Sequence, residues 1–168
     1  MKKSILSIML LLVVATVTNA APRFGVIGEQ NSGLGAFVTD DMYNAQVTFT
    51  NSGNDTDGNP SETAVKIAGN YKVAIDSVTS FTVGAGYTIL SGDFDPNGLG
   101  TGDNAFEHDG SNILALSAGF ERALSANLVL TAQTDVYSVY TIKEKGSSSD
   151  TRVTSLFSNN RIGVAYLF

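Results

Sequence analysis

Apolar and polar residues alternate along eight segments of the chain, and clusters of glycine, aspartate, asparagine and serine separate these segments. Alternation with period two is typical of strands with one apolar face. In residues 80–90, for example, Phe81, Val83 and Tyr87 share one side, with Thr82 and Thr88 on the other. The predicted strands are 23–30, 34–38, 43–50, 63–71, 80–90, 112–121, 127–143 and 151–168.

The connections between these segments alternate in length. Short links at 39–42, 72–79 and 122–126 take turns with long polar ones at 51–62, 91–111 and 144–150. Outer-membrane barrels have short periplasmic turns and longer external loops, so the pattern indicates this class. The first hairpin is an exception, because its link at 31–33 is very short and its strands are shorter than the roughly 9–11 residues of a membrane strand.

The side of the strands opposite the apolar residues is polar or small. Its polar members are Glu29, Gln46, Lys66, Asn70, Glu121, Gln133, Asp135 and Arg161. So many charges do not suit a soluble core, whereas inside a narrow closed barrel they can pair with each other. We therefore predict an all-β fold, an eight-stranded antiparallel up-and-down transmembrane barrel whose large apolar residues face lipid. The alternative is a periplasmic lipocalin-like barrel with the apolar face inside.

Five of these charges are expected to share the barrel lumen: Glu29, Lys66, Glu121, Asp135 and Arg161. Eight strands enclose only enough space for side chains, so the ion pairs should plug the barrel. The alternative is a narrow pore in which the same charges tune permeation.

The first twenty residues have the pattern of a secretory signal peptide. Lys2 and Lys3 precede an apolar run at 5–17, and the small-residue end Thr18-Asn19-Ala20 follows. The run is shorter than the roughly 20 residues of a spanning helix. We expect residues 1–20 to be removed on export and residues 21–168 to form the barrel domain.

The composition limits the kinds of partner and of chemical site that this chain can have. Ten lysine and arginine residues stand against 16 aspartate and glutamate residues, a balance that argues against a nucleic-acid partner. The chain has no cysteine, which excludes disulfides, a thiol nucleophile and a cysteine zinc site. With a single histidine as well, the sequence predicts a non-enzymatic protein without a resident cofactor.

The last predicted strand ends on an aromatic residue in a characteristic register. Arg161, Gly163, Tyr166 and Phe168 match the C-terminal signal read by the outer-membrane assembly machinery: a polar residue, glycine two later, then large residues three and five after the glycine. With this C-terminal pattern and its eight alternating segments, the chain resembles the small eight-stranded outer-membrane barrels typified by the OmpA membrane domain and OmpX.

That resemblance implies a location in the outer membrane of a Gram-negative-type bacterium and contact with outer-membrane lipid. It also implies assembly by the outer-membrane machinery and a structural or cell-surface role, with a possible surface partner for the external loops. A lipid A-modifying barrel enzyme is a less favoured alternative, because His108 and Ser111 faintly resemble the His/Ser pair of lipid A deacylase barrels. In those enzymes the two residues are close on a strand. Here they stand three apart in a predicted loop, so the motif is not matched.

One external loop contains part of a calcium-binding pattern. Asp93, Asp95, Asn97 and Gly98 follow the first half of a calcium loop, and Asp103 could supply a late ligand, although the final glutamate is missing. A solvated polar loop explains the same residues and is favoured. A weak calcium site is the alternative.

If calcium binds, it should do so no better than extracellular modules, with a dissociation constant of about 10⁻⁴–10⁻³ M. Millimolar calcium is then expected to protect residues 94–104 from protease, and Asp93→Asn with Asp95→Asn should abolish the protection. Cleavage that is insensitive to calcium would leave only the solvated loop.

Overall fold

The computed structural model describes residues 21–52, 62–94, 106–142 and 150–168. Within these ranges it contains eight strands, and no helix there is long and apolar enough to cross a membrane. The strands are β1 (Arg23–Glu29), β2 (Gly33–Thr39), β3 (Tyr43–Ser52), β4 (Glu62–Ala74), β5 (Thr79–Phe94), β6 (Phe106–Ala123), β7 (Leu128–Ile142) and β8 (Thr151–Leu167). Each pairs antiparallel with the next, and β1 pairs with β8 to close the barrel. The predicted eight-stranded antiparallel barrel is confirmed. The predicted signal peptide lies outside the described residues.

The two faces of the strands follow the predicted alternation. Val83 is 41% exposed on the outside, whereas its neighbour Thr82 is 1% exposed and points inward. Large apolar residues are exposed on all eight strands, and many polar residues are buried inside the barrel. Three edge-to-face aromatic pairs lie toward the end with the short turns: Tyr43–Tyr71, Phe81–Phe120 and Tyr166–Phe168. This arrangement is typical of an interfacial aromatic girdle.

Side-chain oxygens close two of the short turns. Asp40 accepts a hydrogen bond from the Met42 amide at 2.7 Å, and Asp76 accepts one from Val78 at 2.8 Å and one from Thr79 at 2.7 Å. The hydrogen bond from the Val78 amide is the largest of the effects that hold the pKa of Asp76 below its ordinary value. These bonds favour the folded turn at neutral pH, and the gain is lost as the pH falls through the lowered pKa.

The first hairpin is as short as the sequence indicates, with seven residues in each of β1 and β2. Its turn places Asn31 at a φ of 63° and Gly33 at 77°. A side chain at Gly33 would also collide with the Phe49 carbonyl, 2.0 Å from an ideal Cβ. The neighbouring β8 continues past this turn: β1 pairs only with residues 163–167, and β8 begins twelve positions earlier, at Thr151.

The longest predicted loop, 91–111, is shorter than expected, and this prediction is wrong at both ends. Residues 91–94 belong to β5 and residues 106–111 to β6, with Asp93 opposite Glu107 and Gly92 opposite His108. Both His108 and Ser111 therefore lie in a strand, although the sequence predicts a loop for both. The ladder is made by backbone groups, so strands can continue through residues whose polar side chains are typical of loops.

A β-bulge also changes the predicted faces of β7. Leu116 pairs with Tyr137 and Ser117 pairs with Asp135, so Val136 has no partner on β6. An unmatched residue reverses the inward and outward positions beyond it. Simple alternation from Leu128 and Leu130 predicts Tyr140 on the apolar, lipid-facing side. Tyr140 instead lines the interior, so this prediction is wrong.

The face assignment can be tested with two alanines at neighbouring positions of the β5–β6 pair. Ala85 is exposed on the outside, and Ala115, opposite Gly86, is 7% exposed on the inside. We expect Ala85→Arg to reduce the free energy of unfolding by about 2–4 kcal/mol, because an arginine would face hydrocarbon. Ala115→Arg should cost less, since its side chain would enter the polar lumen cavity instead of hydrocarbon. Urea titrations of vesicle-inserted protein measure both, and equal losses would contradict the assignment.

Candidate functional site in the barrel lumen

Four of the five predicted lumen charges form one buried network. Lys66 Nζ lies 2.5 Å from Glu29 Oε2. The Arg161 guanidinium binds both oxygens of Asp135, at 2.6 and 2.8 Å, and its Nε lies 3.8 Å from Glu29 Oε2. The two acids and two bases neutralise each other, and the fork geometry of the arginine pair is the stronger form of such a contact.

Neutral side chains complete this network. Gln46 Nε2 donates to both Glu29 carboxylate oxygens at 3.1 Å, and Asn159 Nδ2 donates to Asp135 at 3.2 Å. The Asn159 carbonyl accepts a bond from Arg161 at 3.1 Å. Buried charges are costly unless they are both paired and hydrogen-bonded, and these partners meet that requirement for both carboxylates.

Glu121, the fifth predicted charge, belongs to a separate cluster near the short turns. Its Oε1 lies 2.5 Å from Lys72 Nζ, and its Oε2 accepts a bond from Asn44 at 2.6 Å. Lys72 was not among the predicted site residues, because residues 72–79 have the composition of a turn. The signal was present in the sequence: Lys72 continues the inward alternation that starts at Lys66 and includes Asn70.

The network of Glu29, Lys66, Asp135 and Arg161 is called the upper network below. Amide side chains occupy the lumen between it and the short turns. Asn70 Nδ2 donates to Asn44 Oδ1 at 2.6 Å, and Ser117 Oγ donates to Asn70 Oδ1 at 3.3 Å. All three of these residues are buried. The part of the lumen nearer the short turns is thus filled by hydrogen-bonded side chains, as the plugged interpretation of the sequence expects.

The other half of the lumen contains a cavity of about 400 Å³. One wall is made of small and apolar residues from β4, β5 and β6: Ala64, Ala68, Gly86, Leu90, Ile113 and Ala115. Asp135 and Arg161 lie on the polar side, together with Asn31 and Ser32 of the first hairpin turn, and Lys66 enters the cavity from β4, between Ala64 and Ala68. A volume of this size is within the range of small-ligand pockets.

The candidate calcium residues are not brought together within the described ranges. Asp93 lies in β5, whereas Asp95, Asn97 and Asp103 lie outside the described residues. In the described part of the chain, no group of three or more histidine, aspartate or glutamate residues could hold a metal ion. Calcium binding in this loop stays a prediction.

The residues of the predicted assembly signal take two different positions at the end of the chain. Arg161 and Gly163 face the lumen, and an ideal Cβ at Gly163 would lie 2.6 Å from Thr131 Oγ1. Tyr166 and Phe168 are exposed on the outside, with ring centroids 6.1 Å apart. Recognition of this segment by the assembly machinery stays a prediction.

No protein-family model and no curated protein matches this chain. Among solved structures, Neisserial surface protein A is 18% identical, with a TM-score of 0.51, over 88% of this chain and 96% of that chain. The attachment invasion locus protein Ail of Yersinia pestis is 14% identical, with a TM-score of 0.44 and the same coverages. A major outer membrane protein from Thermus thermophilus is 17% identical, with a TM-score of 0.37, over 88% of this chain and 100% of that one. The first of these likenesses shows the fold, a small eight-stranded barrel.

Removing one partner of the upper network should destabilise the barrel. Lys66→Met leaves the Glu29 carboxylate buried with Arg161 Nε 3.8 Å away, and we expect a loss of about 3–5 kcal/mol in the free energy of unfolding. The double variant Glu29→Gln with Lys66→Met should lose less, because no buried carboxylate is left without its lysine. Urea unfolding of the wild type, the double variant and both single variants measures the coupling, and additive losses would contradict it.

Proposed function

We propose that this protein spans the outer membrane of a Gram-negative-type bacterium as a non-enzymatic surface barrel. The observation that carries the proposal is the inverted distribution of polarity: exposed apolar residues on every strand, and charges buried inside. A soluble protein of this size would bury its large apolar side chains instead. The aromatic pairs near the short turns support the position of one membrane interface.

The short turns then lie in the periplasm, and residues 53–61, 95–105 and 143–149 connect the strands at the outer end. The first two connections carry Asp55, Asp57, Asp95 and Asp103. We infer that the protein acts through this acidic outer rim, in a structural role or by contact with a cationic surface of a partner. Export by removal of residues 1–20 and recognition of the last strand by the assembly machinery belong to the same proposal.

Location in the outer membrane is tested by fractionation combined with gel migration. The protein should be in the outer-membrane fraction, and its migration should change on heating, as expected for a barrel that stays folded in detergent. Recovery in the soluble periplasmic fraction would favour the lipocalin-like alternative.

A pore is the alternative use of the same fold, and conductance separates the two. Buried ion pairs and amides fill the half of the lumen near the short turns, so purified protein in planar bilayers should give no discrete conductance steps. Lys72→Ala with Glu121→Ala removes two plugging side chains and serves as the comparison. Steps from the wild type, with an ion preference that changes in this variant, would contradict the plugged interpretation.

A further inference from the structure

The lumen cavity extends to the surface at the short first hairpin. Asn31 in the hairpin turn and Asn159 in β8 both line the cavity, and both residues are exposed. Between them, β1 pairs with β8 only up to Gly163, and one further hydrogen bond joins the Gln30 amide to the Ile162 carbonyl. In the described part of the chain, the barrel wall therefore has a gap above the first hairpin, and the cavity lies behind it.

This gap falls at the depth of the outer leaflet if the barrel spans a membrane as proposed above. Seven residues of a strand tilted by about 40° rise only about 18 Å, whereas the apolar band of such barrels is about 25 Å tall. Leu34, directly after the turn, is 75% exposed, as expected for a side chain in hydrocarbon. The turn therefore ends below the outer interface, where the surrounding solvent is lipid.

The cavity has two chemically different sides. The wall formed by β4, β5 and β6 is mostly small and apolar, although Lys66, Thr88 and Ser117 also belong to it, and its small residues leave space that larger ones would fill. On the opposite side, Arg161 is 7% exposed, and its Nε has no hydrogen-bond partner among the described residues. Lys66 Nζ donates to Glu29 and, at 3.5 Å, to Ser32, although an ammonium carries three donors.

Lys66 thus keeps one ammonium donor beyond these two bonds, while the formal charges of the network cancel. A ligand that fits has a hydrogen-bond-accepting end and an apolar body, and the membrane beside the gap supplies such molecules. We propose that the outer half of the lumen binds a single-chain amphiphile of the fatty-acid type, which reaches the cavity from the outer leaflet across the β1–β2 hairpin. Its accepting end lies near Lys66 and Arg161, and its chain lies along the wall of Ala68 and Ala115.

The probe is a photoactivatable palmitate incorporated in phosphatidylcholine vesicles that contain the full-length folded barrel. Illumination followed by peptide mapping should give labels on inward residues of the cavity wall, above all Ala68 and Ala115, and unlabelled palmitate should compete for them. Labels confined to outward residues such as Leu114, which any bilayer lipid can contact, would overturn the proposal. Competition by hexadecane as effective as that by palmitate would contradict the need for an accepting end.

Two substitutions on the same strand provide the matched comparison. An ideal Cβ at Gly86 meets nothing closer than the Ala68 Cβ at 3.5 Å, so Gly86→Phe can place its ring in the cavity. Ala85→Phe adds a phenyl ring at the next position, on the lipid side. Gly86→Phe should reduce labelling of the inward residues about tenfold. Ala85→Phe should leave that labelling unchanged, and equal effects would overturn the proposal.

Heat-dependent gel migration checks that every variant is folded, and Ala68→Leu is the second cavity-filling variant if Gly86→Phe fails this check. The same assay separates the two proposals. Folded, vesicle-inserted protein without inward labelling refutes the amphiphile site and leaves the membrane barrel intact. Failure of the wild type to insert refutes the membrane barrel itself.

Access through the wall is tested with a water-soluble charged analogue of the same photoactivatable group. If the amphiphile comes from the leaflet, the palmitate probe should label the cavity and the charged analogue should not compete. Labelling by the charged analogue alone would show access from the outer end and overturn the lateral route.

Discussion

The pairing of Glu29, Lys66, Arg161 and Asp135 is the interaction on which the rest of the barrel depends. These residues come from the first, fourth, last and seventh strands, so the network joins parts of the sheet that are distant in sequence. Its position matters most at the closure, where the β1–β8 ladder has only five residue pairs. Glu29 and Arg161 flank that seam, and their burial at full charge is tolerable only because each carboxylate meets a cation at close range.

The number and order of the strands, and the side of the sheet on which each side chain lies, follow from the sequence because period-two alternation and loop lengths are local properties. Val83 and Thr82 lie where the pattern predicts, and the polar lumen residues are buried. The bulge at Val136 is not local in this sense, since it depends on how β7 pairs with both of its neighbours. Simple alternation therefore predicts the wrong face for Tyr140.

The choice of ion partners shows a second limit of sequence reasoning. Alternation places Glu121 inside but gives no information on depth along the barrel, and depth decides which charges meet. Glu121 lies near the short turns and binds Lys72, whereas the other four charges meet deeper in the lumen. Turn-like composition concealed Lys72, although the ladder runs two residues past it to Ala74.

Length and side-chain size together explain why the two halves of the lumen differ. Near the short turns all eight strands are present, and lysine, glutamate and asparagine side chains fill the space that eight strands enclose. Above the first hairpin two strands are missing from the wall, and Ala64, Ala68 and Gly86 stand opposite. A barrel that needed only stability would fill this space with larger side chains, since packing to full density stabilises a core. The small residues opposite this gap therefore leave a lumen that is filled by side chains at one end and has room for a ligand at the other.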